Sequence, residues 1–178
     1  MHAPVKPAPP AVVFRDVREE DLPILFGLRR DLALQSLLLT VPEALDDAAL
    51  RAWVARRQED PGGMFRVVEE VSTGQAVGYA QISQVHRRNR VGYAGIALVA
   101  DVRGRGLGQV TLAKLIRVSR DELGLIKLMS EVRADNFAAL RYNLLLGFSV
   151  VGTLRKHFTD SRDVLHDVLL LERLLDDV

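Results

Sequence analysis

One stretch of the chain combines residue types that can do chemistry at a fixed spacing. An apolar run ends at Ala100, Asp101-Val102 follows, and then come Arg103, Gly104, Arg105, Gly106, Leu107 and Gly108. Beyond them apolar residues recur at Leu112, Leu115, Ile116, Val118 and Leu123, a largely one-sided helical spacing. The unit reads as strand, glycine-rich turn and helix. Glycines let a ligand come close to the main chain. The first helical turn offers unpaired N–H groups and the positive end of the helix dipole, and two arginines add charge. That combination is an anion site, suited to phosphate or pyrophosphate. A flexible basic turn and an arginine-glycine nucleic-acid tract are the competing readings. The tract calls for repetition in a polar, disordered context, whereas this stretch is single and sits between a strand and a helix.

The spacing excludes two common phosphate sites. A dinucleotide fingerprint needs its third glycine one residue later, where Gln109 stands. A P-loop ends in Gly-Lys-Ser/Thr, which Gly108-Gln109-Val110 lacks. The chain has no cysteine, so no thiol nucleophile, thiolate ligand or disulfide is available. His86, His157 and His166 follow no metal-ligand spacing, and no metal is expected. Glu69, Glu70 and Glu131 lie on strand-like runs near the turn and read as surface or edge charges. A net charge of +1 implies no bulk attraction to nucleic acid or membrane.

The elements that must position the turn follow in order. Four of the 7 prolines fall within residues 1–10, which read as a disordered tail ahead of a single domain at residues 11–178. Neither a secretory leader nor a membrane span is legible, and a cytoplasmic protein is expected. Residues 11–17 read as a strand, and 19–39 as a helix with Pro23 in its first turn. A second helix is expected at 43–58 with Trp53 in the core. Strand-like runs at 65–71, 76–85 and 91–100 are joined by short turns and predict an antiparallel meander. A helix from Gly106 to about Leu123, a strand at 126–132 and a helix at 137–146 come next. Strands at 148–154 and 164–171 then flank a polar loop at 155–163. Alternating strands and helices after a meander imply a mixed sheet.

Arg103-x-x-Gly106-x-Gly108 resembles the R/Q-x-x-G-x-G/A signature of the GNAT superfamily of acyl-CoA-dependent N-acetyltransferases. A second block, Asn136-x-x-Ala139-Leu140 followed by Gly147-Phe148, is similar to that superfamily's N-x-x-A segment, helix and G-F strand start. The resemblance implies an α/β fold, with a GNAT-like mixed, mostly antiparallel sheet of about seven strands flanked by about four helices. It implies acetyl-CoA as donor, with pyrophosphate held by backbone amides at Arg103, Gly104, Arg105, Gly106, Leu107 and Gly108. Ile96, Ala97 and Leu98 then hold the pantetheine arm and polarise the thioester carbonyl through their backbone, with Asn136 beside the arm.

Many members place a tyrosine seven residues after the asparagine, and that tyrosine can protonate the departing thiolate. Here Asn143 occupies the position and Tyr142 lies one residue earlier, turned by about 100° on a helix. Tyr142 and Asn143 are the two candidates beside the leaving group. On this register Asn143 faces the sulfur and binds cofactor, and its amide N–H hydrogen-bonds the thiolate. Acceptor contacts are expected from residues 29–43 and from the loop 155–163. The implied acceptor is a primary amine of a small molecule or a protein, with the chain acting as monomer or homodimer and without nucleic-acid or membrane partners. A non-catalytic acyl-CoA sensor is the alternative.

Overall fold

The computed structural model describes residues 9–175. Residues 1–8 of the expected proline-rich tail, and 176–178, lie outside the described residues. Seven strands form one sheet in the order β1-β2-β3-β4-β5-β7-β6. They are β1 (Val12–Arg15), β2 (Met64–Glu70), β3 (Gln75–His86), β4 (Val91–Leu98), β5 (Lys127–Arg133), β6 (Ser149–Thr159) and β7 (Leu165–Leu174). All neighbours run antiparallel except β4 and β5, which are parallel. The α-helices are α1 (Leu22–Arg30), α2 (Leu32–Leu37), α3 (Asp47–Gln58), α4 (Leu107–Asp121) and α5 (Phe137–Leu145). The mixed, mostly antiparallel sheet expected from the sequence is present, with one α-helix more than expected.

The additional helix has a local cause. At Asp31 the backbone leaves the helical region with ψ 88°, and its carboxylate accepts from the Leu34 N–H at 2.9 Å. An aspartate inside an apolar helical pattern offers the backbone an alternative partner, so the single helix read at 19–39 ends and restarts there. Asp46 similarly sets the start of α3 by accepting from the Ala49 N–H at 3.0 Å, so residues 43–46 are not helical as expected. The polar run 155–163 is a loop only at its end, because β6 continues to Thr159. Its pairing with β7 is interrupted between Leu154 and Phe158. There Lys156 takes a positive φ of 50° and its N–H donates to the Asp167 carboxylate at 2.7 Å. β6 is the last strand of the sheet, so polar side chains on it remain in water and hide the strand pattern.

The sheet separates two apolar layers. Leu98, Leu107, Leu112, Leu115, Leu128 and Leu171 belong to the layer beneath α4. Leu25, Phe26, Leu50, Trp53, Phe65, Tyr79 and Ala97 belong to the layer under α1–α3. β4 alternates between them, with Ala94, Ile96 and Leu98 toward the first layer and Ala97 toward the second. Gly78 of β3 lies against this strand so closely that a Cβ there would sit 2.0 Å from the Ala97 carbonyl oxygen.

Candidate active site

The site begins with a defect in strand pairing. β4 and β5 pair only at Val91 with Lys127, Gly92 with Leu128 and Tyr93 with Met129. Beyond that point β4 stays bonded to β3 as far as Leu98, and β5 stays bonded to β7 as far as Arg133. Residues 94–98 and 130–133 therefore present two facing backbone edges with no mutual ladder. Such edges leave donors and acceptors to be satisfied by something extended that carries amides of its own. Ile96, Ala97 and Leu98 lie on the β4 edge of this cleft.

β4 leads through a 3-10 turn at Ala100–Val102 into the glycine-rich turn. Gly104 and Gly106 have φ of +76° and +82°, a region side chains disfavour, and Gly106 is the N-cap of α4. The N–H groups of Gly104, Arg105 and Gly106 donate to no backbone carbonyl among the described residues. The N-terminus of α4 has neither a side-chain cap nor an acidic residue in its first turn. Turn and helix together therefore present a row of unpaired donors at the open end of the cleft, as an anion site requires.

The side chains of the turn have other duties. Arg103 donates to the Leu98 carbonyl at 3.3 Å and lies 3.8 Å from the Asp31 carboxylate, tying the turn to α2. Arg105 pairs at 2.5 Å with Glu70, which is buried rather than the surface charge its sequence position suggested. Leu107 is fully buried and anchors the start of α4. A Cβ on Gly108 would lie 3.3 Å from the Tyr142 ring, so this glycine lets α4 and α5 approach closely.

That contact locates the leaving-group candidates. Tyr142 is half-buried with its ring over Gly108 in the first turn of α4, and burial raises its phenol above the ordinary value. The hydroxyl is therefore protonated at neutral pH. Asn143 is buried, and its Nδ2 donates to the Ala139 carbonyl of its own helix at 2.9 Å. Its Oδ1 has no partner among the described residues. The one-residue offset thus puts Tyr142 against the glycine-rich turn and Asn143 into the helix packing, the reverse of the orientation expected from spacing. Asn136 caps α5, accepting from the Ala139 N–H at 3.3 Å.

The far mouth of the cleft is bounded by α2 and by the β6–β7 turn. Arg133, at the end of β5, hydrogen-bonds the Ser36 hydroxyl on α2 and holds Asp135 at 2.6 Å. The guanidinium keeps the Asp135 carboxyl below its usual range. Asp160 is buried where the β6–β7 turn closes. It accepts from the N–H groups of Arg162 at 2.9 Å and Val164 at 3.1 Å, and contacts His166 Nε2 at 3.0 Å. The contact with His166 is the main reason that the Asp160 carboxyl is held well below the usual carboxylate range. Sequence reasoning missed Gly78, Arg133 and the buried Asp160, whose roles depend on strands that meet only in the folded sheet. Among the described residues no group of three or more His, Asp or Glu is arranged to hold a metal ion. No described helix is long and apolar enough to cross a membrane.

Comparison with known proteins agrees with this geometry. Residues 11–149 match the family model described as Acetyltransferase (GNAT) domain. A curated relative, the N-alpha-acetyltransferase RimI of Mycobacterium tuberculosis, is 37% identical over 92 residues, covering 51% of this chain and 56% of that protein. The chain thus matches little more than half the length of that relative. Among solved structures, spermidine N-acetyltransferase from Vibrio cholerae in complex with CoA and spermine superposes with a TM-score of 0.83 at 19% identity, over 92% of this chain and 95% of that one. A probable acetyltransferase gives a TM-score of 0.75 at 19% identity, over 92% and 93% of the two chains. These likenesses show the fold.

Proposed function

The chain belongs to the GNAT acetyltransferase family, and from that premise we propose that it transfers an acetyl group from acetyl-CoA to a primary amine of a small molecule or protein. The observation that carries the proposal is the parting of β4 from β5 after Tyr93 and Met129, directly before an uncapped glycine-rich helix start. Acetyl-CoA, when bound, supplies a thioester carbonyl that an amine lone pair can attack.

The residues divide the remaining work. The N–H groups at Gly104, Arg105, Gly106, Leu107 and Gly108 face the pyrophosphate as an array of fixed donors, whereas the Arg103 N–H, expected among them, is bonded to the Ala100 carbonyl at 3.0 Å and only shapes the turn. The open β4 edge orients the arm and donates to the carbonyl oxygen as it gains charge through Ile96 and Leu98, while Ala97 between them has its backbone turned to β3 and holds the edge in place. Asn136 fixes the start of α5 beside the same cleft. Tyr142, protonated and beside Gly108, gives its proton to the departing sulfur. The amine proton leaves through water to bulk base. A thiol has a pKa of roughly 8.5, so the thiolate is already a tolerable leaving group and Tyr142 assists rather than decides.

Thiol release from acetyl-CoA with a panel of primary amines tests the reading. Turnover with at least one amine, lost in a folded Gly106→Val variant, is the expected result. Binding of acetyl-CoA with no amine-dependent thiol release would overturn it in favour of an acyl-CoA sensor.

A further inference from the structure

On the α1–α3 side of the sheet lies a group of hydrogen-bond donors that the reaction above does not use. Arg29, at the end of α1, is partly buried and lies over the Trp53 ring, 5.3 Å from its centroid. Its Nη1 donates to Gln35 Oε1 at 2.6 Å and to Thr40 Oγ1 at 3.2 Å. Gln35 Oε1 also receives the Thr40 hydroxyl at 2.6 Å, and the Gln35 amide N–H donates to the Leu28 carbonyl at 2.8 Å. The neutral acceptors around Arg29 are therefore occupied, while its Nε and Nη2 have no protein partner among the described residues. Arg56 and Arg57, at the end of α3, add positive charge near it. Among the described residues none of these three arginines has a carboxylate within 4.0 Å.

A second, independent feature points the same way. Trp53 is 6% exposed, and its Nε1–H has no hydrogen-bond partner among the described residues. A buried donor left unpaired is destabilising, and a bound acceptor removes that cost. Tyr79 packs edge-on against Trp53 at 5.8 Å between ring centroids, and burial raises its phenol to about 12. The phenol is thus another neutral donor at physiological pH. Donors and positive charge converge here without an anion of the protein's own.

The place in the fold ties this group to the cleft. Tyr79 is the cross-strand partner of Ala97, and Ala97 packs in the same apolar layer as Trp53 and Tyr79. Directly opposed residues of antiparallel strands stand about 4.5–5.5 Å apart between Cα atoms. The donor group therefore lies one strand away from the backbone that faces the reacting carbonyl, and on the sheet face opposite α4.

From this we infer that Arg29, Trp53 and Tyr79 form an anion subsite for the acceptor, so that the preferred substrate is an amine whose molecule also carries a carboxylate. The inference deepens the acetyl-transfer reading and rests on it. Polyamines such as those bound by the Vibrio cholerae enzyme would place a cation against three arginines here, and are expected to be poor acceptors.

The test uses a matched series, 4-aminobutyrate, its neutral amide 4-aminobutyramide, and putrescine, with thiol release as one readout. The acid should have the highest kcat/KM and putrescine the lowest. In Arg29→Met the ratio of kcat/KM for acid over amide should fall roughly 10- to 100-fold, mainly through KM, as expected when a hydrogen bond to a charged group is lost. Trp53→Phe, which keeps a ring but removes the N–H, should lower the same ratio roughly 3- to 10-fold. The second readout needs no turnover. Trp53 is the single tryptophan of the chain, so titrating 4-aminobutyrate into the full-length protein should give a saturable fluorescence change that putrescine does not. Equal kcat/KM for acid and amide, or an unchanged ratio in a folded Arg29→Met, overturns the subsite. Absence of a saturable fluorescence change with the acid overturns it too, even where Arg29→Met fails to fold. A saturable signal without thiol release from any amine would overturn acetyl transfer while leaving the anion subsite standing.

Discussion

At the scale of single residues, Tyr142 and Gly106 make the sharpest demands. Tyr142 lies over Gly108 with a phenol raised by burial, whereas the amide N–H of Asn143 is bound to the Ala139 carbonyl. Loss of a general acid typically costs 10²–10⁴-fold, and a thiolate that already leaves tolerably puts this case at the low end. Tyr142→Phe should therefore lower kcat about 100-fold with acetyl-CoA affinity unchanged, as read by steady-state thiol release and calorimetry. Asn143→Ala should leave kcat within a few-fold and cost about 1–2 kcal/mol of stability, from one lost helix hydrogen bond and a small void. Gly106 has a φ of +82° at the N-cap of α4. Gly106→Val cannot hold that conformation without strain, so coenzyme A affinity should fall more than tenfold by calorimetry while circular dichroism stays native. Arg105→Ala should weaken binding less, because that guanidinium is engaged by Glu70.

Elements, rather than residues, decide how open the cleft is. Gly78 allows β3 to lie against β4 at Ala97 and Leu98, and a Cβ there would meet backbone atoms at 2.0 and 2.9 Å. Backbone cannot step aside as a flexible side chain can. Gly78→Ala should cost about 1–3 kcal/mol or more in thermal or denaturant unfolding, and should impair acetyl-CoA binding because the β4 edge shifts with it. The β6–β7 hairpin makes a pH-dependent claim. The Asp160 carboxyl is held below its usual range, chiefly by His166 and then by the N–H groups of Arg162 and Val164. A depressed folded-state pKa contributes stability that is present above the unfolded value of about 3.9 and is lost as pH falls through the folded one. Wild type should therefore exceed Asp160→Asn in stability at about pH 6, and the difference should shrink as unfolding is measured down toward about pH 2.

Across the whole molecule, the parting of the sheet divides the chain into two lobes joined by a short seam. β1–β4 with α1–α4 form one side and β5–β7 with α5 the other, and only three residue pairs of β4 and β5 bridge the strands directly. α4 and α5 add a contact through Gly108 and Tyr142, and Arg133 reaches Ser36 across the mouth. A ligand lodged between the lobes binds the folded state alone. At a coenzyme A concentration about 100 times its Kd the gain is about 2.7 kcal/mol, which for a chain of this size corresponds to a Tm increase of roughly 5–10 °C. Hydrogen exchange should slow most at residues 94–98 and 103–108. Slowing confined to the outer strands β1 or β6 would contradict binding in the cleft.

The sequence by itself determined the family and most of the elements. The glycine-rich turn, the Asn136 segment and the meander are encoded by local rules, in which a glycine, a cap or an alternation acts within a few residues of itself. The same locality explains where reading the chain fell short. Asp31 and Asp46 act through single side-chain hydrogen bonds that override a helical pattern, and the edge position of β6 leaves its polar strand without an alternating signature. The rest belonged to the tertiary structure because it concerns pairs far apart in sequence. Gly78 matters through Ala97, Arg105 is held by Glu70, Arg133 reaches Ser36, and Tyr142 faces the turn because Gly108 has no side chain to exclude it. Spacing on a helix fixes the angle between two side chains but not which of them faces the ligand. That choice is made by what packs against the helix, and here it is α4.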